Sequence, residues 1–484
     1  MPTTTDRLAT VRETLDSVGQ GHVLHYWDEL DEPGRERLLG QIESIDWPEV
    51  ARLVESHVLS KPDVHLPAEL EPAPTLSHVP HGDEARTKYA DARALGEQLV
   101  REGKVAAFTV AGGQGTRLGW DAPKGTFPAT PVRRAPLFQL FAEFLQKARE
   151  KWGAMPPWYV MTSPVNDAAT HAYFDEHNYF DLDEDDVKIF PQAMMPALDM
   201  RDGKVLLAER DALALSPNGH GGSLKALHAS GALGDMKSRG VEQISYIQVD
   251  NPLVRVIDPL FVGLHALEGA QMSSKMLPKA GPKEKLGNFC LADGKVTVIE
   301  YSDLPDELAE QRLPNGDLRF RAGSIAIHVI ERAFVESLSA SAQGFALPFH
   351  RAEKKMPHLD LATGEHVEPT EANAVKLETF VFDALPLCER SIVFETDRVE
   401  EFAPVKNADA DPLEDSVDSP HTSKALQTER AARWLEENDV IVPRDDDGRP
   451  ECVLEVSPLS AVYPEDLVGQ ALPGVVAPGT RLVV

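Results

Sequence analysis

A short apolar run that breaks into glycine constrains this chain more than any other feature: Val105-Ala106-Ala107-Phe108-Thr109-Val110, followed at once by AGGQGTRLG (111–119). A six-residue run of that composition suits a strand buried on both faces, as in sheets covered by helices. The glycines let backbone N–H groups come close to an anion, and a following helix start adds partial positive charge. The spacing is not the dinucleotide fingerprint, which needs glycine where Leu118 stands. No Gly-Lys-Ser/Thr follows either, so it is not a Walker A loop. Arg117 supplies one cation, and Lys124 within Pro123-Lys124-Gly125 a second. Two cations beside a nested backbone suit a triphosphate; the plainer alternative is a strand–helix turn that binds nothing.

Beyond that loop the pattern alternates. Residues 137–151 and 167–177 have helical periodicity, as does the shorter stretch 223–230. Trp158 to Met161 and Ile244 to Val249 are apolar runs of strand length, the second ending at Asp250. Strands alternating with helices predict an α/β fold with a mostly parallel sheet, whose ligands sit at the carboxyl ends of strands. The first sixty residues read as helices, with Asp46 as a cap and Pro48 in the first turn. Residues 61–82 hold five prolines and read as an extended connector. The acidic segment 409–420 reads as a solvated loop. A helix near 422–438 and a short strand at Val453 to Val456 follow it. At ~100–200 residues per domain, 484 residues suggest two to four domains.

Charge narrows the partners. Lys and Arg total 48 against 78 Asp and Glu, a net charge of −30, which argues against nucleic acid or an anionic membrane surface. Cys290, Cys388 and Cys452 form no CxxC pair, so a disulfide framework or cysteine zinc site is not expected. The polar N-terminus shows no signal peptide, and no apolar run reaches ~18 residues. These features together predict a soluble cytoplasmic protein.

Three further places carry chemistry. Asp250 ends a buried strand, where open α/β sheets hold a divalent metal against phosphate, although a lone strand-end Asp is more often a turn cap. NGHGG (218–222) is a second glycine-rich loop opening a helix; its plain reading is a water-exposed His220. Lys376 and Lys406 would each be ordinary surface lysines if read alone. HExxH and GxSxG are absent, which disfavours a zinc enzyme or serine hydrolase.

Taken together, the chain resembles the UDP-sugar pyrophosphorylase family, most closely its UDP-N-acetylglucosamine branch. The resemblance rests on AGGQGTRLG (111–119), PKG (123–125), Phe190-Pro191-Gln192, NGHGG (218–222), VDN (249–251) and Val298 to Ser302. It continues in Ala322 to Ile325, Phe380 to Asp383 and Pro404 to Asn407. It implies a Rossmann-like nucleotidyltransferase core, GT-A-like with a mixed sheet, over residues 85–407. An N-terminal helical domain (1–84) and a small C-terminal α+β domain (408–484) would flank it. It also implies the reaction: UTP and a sugar 1-phosphate, most closely N-acetylglucosamine 1-phosphate, give a UDP-sugar and pyrophosphate with Mg²⁺. In family terms Gly112 and Gly113 lie against the nucleotide and Gln192 reads the uracil edge. Gly219, His220, Gly287, Glu300 and Ser324 face the sugar, walled by Phe380 and Phe382. Arg117, Lys124, Lys376 and Lys406 take the phosphates, Arg117, Lys124 and Lys406 being the catalytic candidates, and Asp250 takes the metal.

Two departures stand out. The N-acetylglucosamine branch usually has asparagine where His220 and Ser324 stand, so glucose or galactose 1-phosphate is the alternative acceptor. Ala135-Pro136 replaces a lysine-bearing pair before Leu137, leaving Arg133 or Arg134 to supply that cation. A non-catalytic nucleotide-sugar binder is the alternative of a different class. The expected assembly is a monomer or weak homo-oligomer.

Overall fold

Eleven strands of one mixed sheet place the glycine loop and Asp250 on the same edge. The computed structural model describes residues 4–61, 67, 69–339, 345 and 347–484. Numbered within this sheet, the strands are β1 (Leu70–Pro72), β2 (Thr75–Leu76), β3 (Val105–Val110), β4 (Trp158–Thr162) and β5 (Val187–Pro191). Then come β6 (Gln243–Gln248), β7 (Met272–Pro278), β8 (Asn288–Ala292), β9 (Lys295–Ile299), β10 (Ala322–Glu331) and β11 (Ser391–Glu395). Their order is β2-β11-β7-β10-β6-β3-β4-β5, with β8 pairing β1, β9 and β10. Strands β6, β3, β4 and β5 are mutually parallel. Strand β10 enters antiparallel between β6 and β7, so the sheet is mixed.

All residues of β3 and β4 are buried, as an apolar run in a doubly covered sheet requires. Helix Leu137–Trp152 packs Phe138 against Trp158 and Phe174 in that core, and Phe141 is buried in the same apolar cluster. Burying each such aromatic contributes about 1.5–3 kcal/mol relative to exposure. Helix Pro259–Leu267 starts where Asp258 Oδ1 accepts the Leu260 N–H at 3.1 Å, with proline in its first turn.

The chain forms two compact units, which cut across the segments 1–84, 85–407 and 408–484. One contains Met1–Pro67, Gln192–Ala226 and Ala346–Val381; the other contains the rest, including the large sheet and the C-terminal segment. In the first unit, helices Thr4–Ser17, Glu32–Glu43 and Trp47–Leu53 share one apolar core with strand residues Leu198, Val375 and Leu377. Asp46 caps the third of these helices, accepting the Glu49 N–H at 3.0 Å. The C-terminal segment builds helix Pro420–Glu436 and a parallel pair, Val453–Glu455 with Arg481–Val483.

Two expectations gain detail. The proline-rich stretch is more than a connector: Leu70–Pro72 and Thr75–Leu76 pair with β8 and β11, while 62–66 and 68 lie outside the described residues. The acidic segment is solvated as expected, with 409, 411–415 and 417 exposed, and it is also tied down. The Asp418 carbonyl accepts the backbone N–H groups of Lys406 and Asn407, and Ser416 and Ser419 are buried. Among the described residues, no helix is long and apolar enough to cross a membrane, and all three cysteines are free and buried.

His265, 1% exposed, sits at 2.7 Å from Ser273 Oγ, and burial pushes its pKa down to about 3. The unfolded chain protonates this ring near pH 6.5 but the folded one does not. The fold therefore loses about 1.4 kcal/mol per pH unit from this group as pH falls below 6.5, until the folded value is reached. Above pH 6.5 the contribution is complete. Unfolding free energies of wild type and His265→Gln from urea denaturation should thus draw together by roughly 2 kcal/mol between pH 6.5 and 5. An unchanged gap would mean that the folded ring is already charged.

Candidate active site

The glycine loop hangs between two parallel strand ends. The Ala111 N–H donates to the Met161 carbonyl at 2.7 Å, and the Val249 N–H to the Val110 carbonyl at 3.1 Å. Residue 111 and residue 250 therefore leave the sheet side by side. Buried Asn166 holds the loop from beneath, its Nδ2 donating to the carbonyls of Ala111 (2.9 Å) and Gly113 (3.2 Å). Sequence reading passed over Asn166; its only local signal was its position before the helix Asp167–Glu176. Gly113 has no neighbour within 4 Å of the point where a Cβ would stand, so its backbone faces open space.

Lys124 and Asp250 meet at the foot of this loop, with Nζ 3.9 Å from Oδ2 and each side chain less than one-fifth exposed. The Lys124 N–H donates to the Gly113 carbonyl at 3.1 Å, fastening the lysine to the loop. Arg117 is exposed in the turn Thr116–Leu118, and its carbonyl accepts the Ala408 N–H at 2.9 Å. The Val405 N–H donates to the Asp250 carbonyl at 2.8 Å, so Lys406 follows directly from the strand end. Its ammonium lies 3.4 Å from Asp418 Oδ2 and 5.5 Å from the centre of the Phe402 ring. Arg117, Lys124, Asp250 and Lys406, four residues spread over 290 positions, are thus assembled around one edge of the sheet.

Asp250 offers a hard oxygen donor. Among the described residues no group of three or more His, Cys, Asp or Glu is placed to hold a metal. A single carboxylate fits Mg²⁺, which keeps waters and takes substrate phosphate oxygens, and does not fit a closed zinc site.

Gly287, Glu300 and Ser324 also converge in this unit. The Ser324 N–H donates to the Gly287 carbonyl at 2.8 Å, and a Cβ on Gly287 would come 3.4 Å from Glu300 Oε1. Phe382 is buried. Arg133, in contrast, cannot serve as the replacement cation. Its guanidinium reaches Glu143 Oε1 at 2.8 Å and Glu455 Oε1 at 2.6 Å, so its charge is already matched. Arg134 next to it is exposed.

The other unit carries the remaining candidates. Loop 218–222 lies flat on residues 379–381: the Gly221 N–H donates to the Thr379 carbonyl at 2.8 Å. Here the glycines serve this contact, because a Cβ on Gly219 would stand 2.4 Å from the Thr379 carbonyl oxygen, and one on Gly221 2.6 Å from Phe380 N. His220 Nδ1 accepts the Val381 N–H at 3.1 Å, so the neutral ring carries its proton on Nε2. Burial, with His350 nearby, lowers its pKa to about 4. Phe380 packs between the rings of His220 (5.2 Å) and His350 (4.6 Å). His220 is thus a packed, neutral hydrogen-bond donor rather than a water-exposed loop histidine. Buried Gln192 Oε1 and Asn218 Oδ1 meet no donor among the described residues, and both side chains lie beside Gly222. Lys376 is paired with Glu378 Oε1 at 2.8 Å.

A family model described as UTP–glucose-1-phosphate uridylyltransferase matches residues 75–429. A human UDP-N-acetylhexosamine pyrophosphorylase-like protein 1 is 36% identical over 94% of this chain and 93% of its own length. A UDP-N-acetylglucosamine pyrophosphorylase from Saccharomyces cerevisiae is 33% identical over 90% of this chain and 92% of its own. The crystal structure of a uridine diphosphate N-acetylglucosamine pyrophosphorylase from Trypanosoma brucei superposes with a TM-score of 0.80 at 25% identity, covering 100% of this chain and 99% of that one. Between the ordered motifs, the mixed nucleotidyltransferase sheet and these matches, the chain belongs to the UTP–glucose-1-phosphate uridylyltransferase family.

Proposed function

We infer that the protein is a uridylyltransferase that makes a UDP-sugar and pyrophosphate from UTP and a sugar 1-phosphate, with N-acetylglucosamine 1-phosphate as the favoured acceptor. The observation that carries this reading is the approach of Lys124 to Asp250 beneath an open glycine loop, with Lys406 on the adjoining segment. Relatives named for this chemistry match nine-tenths of the chain and more.

The reaction asks for in-line positioning and charge neutralisation rather than proton transfer. A phosphate oxygen of the sugar 1-phosphate is already anionic. It forms a bond to the α-phosphorus of UTP while the bond from that phosphorus to the β-bridging oxygen breaks, and pyrophosphate leaves with those electrons. No general base is needed. Lys124 and Arg117 offset charge gathering on the phosphoryl oxygens, and Lys406 that on the departing pyrophosphate. Mg²⁺, held by Asp250 and substrate phosphate oxygens, would supply further charge neutralisation. Gln192 would read the uracil edge.

His220 favours a second acceptor class. Its Nε2–H is a fixed donor where the N-acetylglucosamine branch usually offers an amide, so glucose or galactose 1-phosphate is the runner-up. His220→Asn should raise the ratio of N-acetylglucosamine 1-phosphate to glucose 1-phosphate turnover at least ~5-fold, a difference of about 1 kcal/mol. An unchanged ratio in a pyrophosphate-release assay would remove His220 from acceptor choice.

A further inference from the structure

The residue next to Asp250 does more than close a turn. Asn251 is 3% exposed. Its Oδ1 accepts the Leu253 N–H at 3.2 Å, an ordinary turn contact. Its other two bonds reach across the chain: Nδ2 donates to the Glu401 carbonyl at 2.6 Å, and Oδ1 accepts the Ala403 N–H at 3.0 Å. One carboxamide thus acts like a peptide unit, pairing with alternate residues of the segment that leads to Lys406. The Val405 N–H then continues the pairing to the Asp250 carbonyl.

We propose that Asn251 is a positioning residue: its carboxamide sets the register between the segment carrying Lys406 and the strand end carrying Asp250. This deepens the uridylyltransferase reading and rests on it. The spacing leaves no slack, since the clamp holds residues 401 and 403 and the lysine stands three positions on. Aspartate cannot donate to the Glu401 carbonyl and would set a carboxylate beside it, while alanine frees both groups. The segment has other anchors, so losing the clamp shifts it without releasing it. Ser423 Oγ donates to the Ala403 carbonyl at 2.6 Å, and buried Lys275 donates to Glu401 Oε1 at 2.6 Å.

The test is a double-mutant cycle in the full chain. Asn251→Ala should lower kcat about 30-fold, change KM for the sugar 1-phosphate less than about twofold, and raise KM for pyrophosphate about tenfold in the reverse reaction. In that background Lys406→Ala should cost little more, whereas Lys124→Ala should cost the same in both backgrounds. Multiplicative losses for Asn251 and Lys406, or a loss in thermal midpoint with kinetics unchanged, would overturn the proposal. Amide exchange gives a readout independent of catalysis. The Ala403 and Val405 amides should lose protection in Asn251→Ala, with Asn251→Ser as the substitute should the alanine variant not fold. Protection retained there would refute the clamp. Wild-type enzyme silent in both reaction directions would instead defeat the uridylyltransferase reading and leave the exchange result to judge the clamp alone.

Discussion

Asp250→Ala is expected to reduce turnover at least about 10³-fold while leaving the fold intact. The carboxylate is less than one-fifth exposed, but its one ion-pair contact among the described residues, with Lys124, is long at 3.9 Å. Its removal therefore breaks no close, hydrogen-bonded pair, and the expected loss of stability is of order 1 kcal/mol. The activity loss has a different origin. Without the carboxylate, the phosphates of both substrates face Lys124, Arg117 and Lys406 with no anion to hold a divalent cation between them. Circular dichroism and the thermal midpoint should match wild type within a few degrees, a shift of order 1 kcal/mol. Activity within tenfold of wild type at saturating Mg²⁺ would contradict the assignment.

The largest stability effect is expected at Lys275, which has no solvent exposure at all. Its ammonium lies 2.6 Å from Asp258 Oδ2 and from both carboxylate oxygens of Glu401. Burial works against the ionised form of Asp258, yet Lys275 and Arg255 hold its carboxyl well below the usual carboxylate range. Lys275→Met removes the central cation and leaves two buried carboxylates facing each other. Breaking such a cluster costs about 3–5 kcal/mol, far more than the methionine regains by packing. Urea denaturation would measure this, and a loss below about 1 kcal/mol would show that Arg255 alone balances the pair. Glu401 also belongs to the segment clamped by Asn251, so part of the loss should appear as weakened turnover at temperatures where the variant remains folded.

Much of the catalytic edge was legible in the sequence because it is written locally. The Val105–Val110 run, its glycine loop and the strand ending at Asp250 are contiguous signals, and all three stand where their periodicity predicts. Caps such as Asp46 are local as well. What escaped is held by distant partners. Ser273, Ser274 and Lys275 are polar, yet all three are buried because partners from elsewhere in the chain satisfy them: His265 for Ser273, His328 for Ser274, and Asp258 with Glu401 for Lys275. Arg133 looked available for phosphate until Glu143 and Glu455, the latter 322 positions away, claimed it. The antiparallel strand Ala322–Glu331 has no turn linking it to its neighbours, so nothing in its sequence announces that it stands between two sets of parallel strands. The glycines of 218–222 were legible as a close approach, but what approaches them includes the chain's own residues 379–381.

The most direct measurement is pyrophosphate release by this chain from UTP and Mg²⁺, run in parallel with N-acetylglucosamine 1-phosphate, glucose 1-phosphate and galactose 1-phosphate. Release that needs both UTP and a sugar 1-phosphate, fastest with N-acetylglucosamine 1-phosphate and lost in Asp250→Ala, is the expected result. No release with any of the three acceptors, despite UDP-sugar binding by titration calorimetry, would contradict catalysis and leave a nucleotide-sugar binding protein.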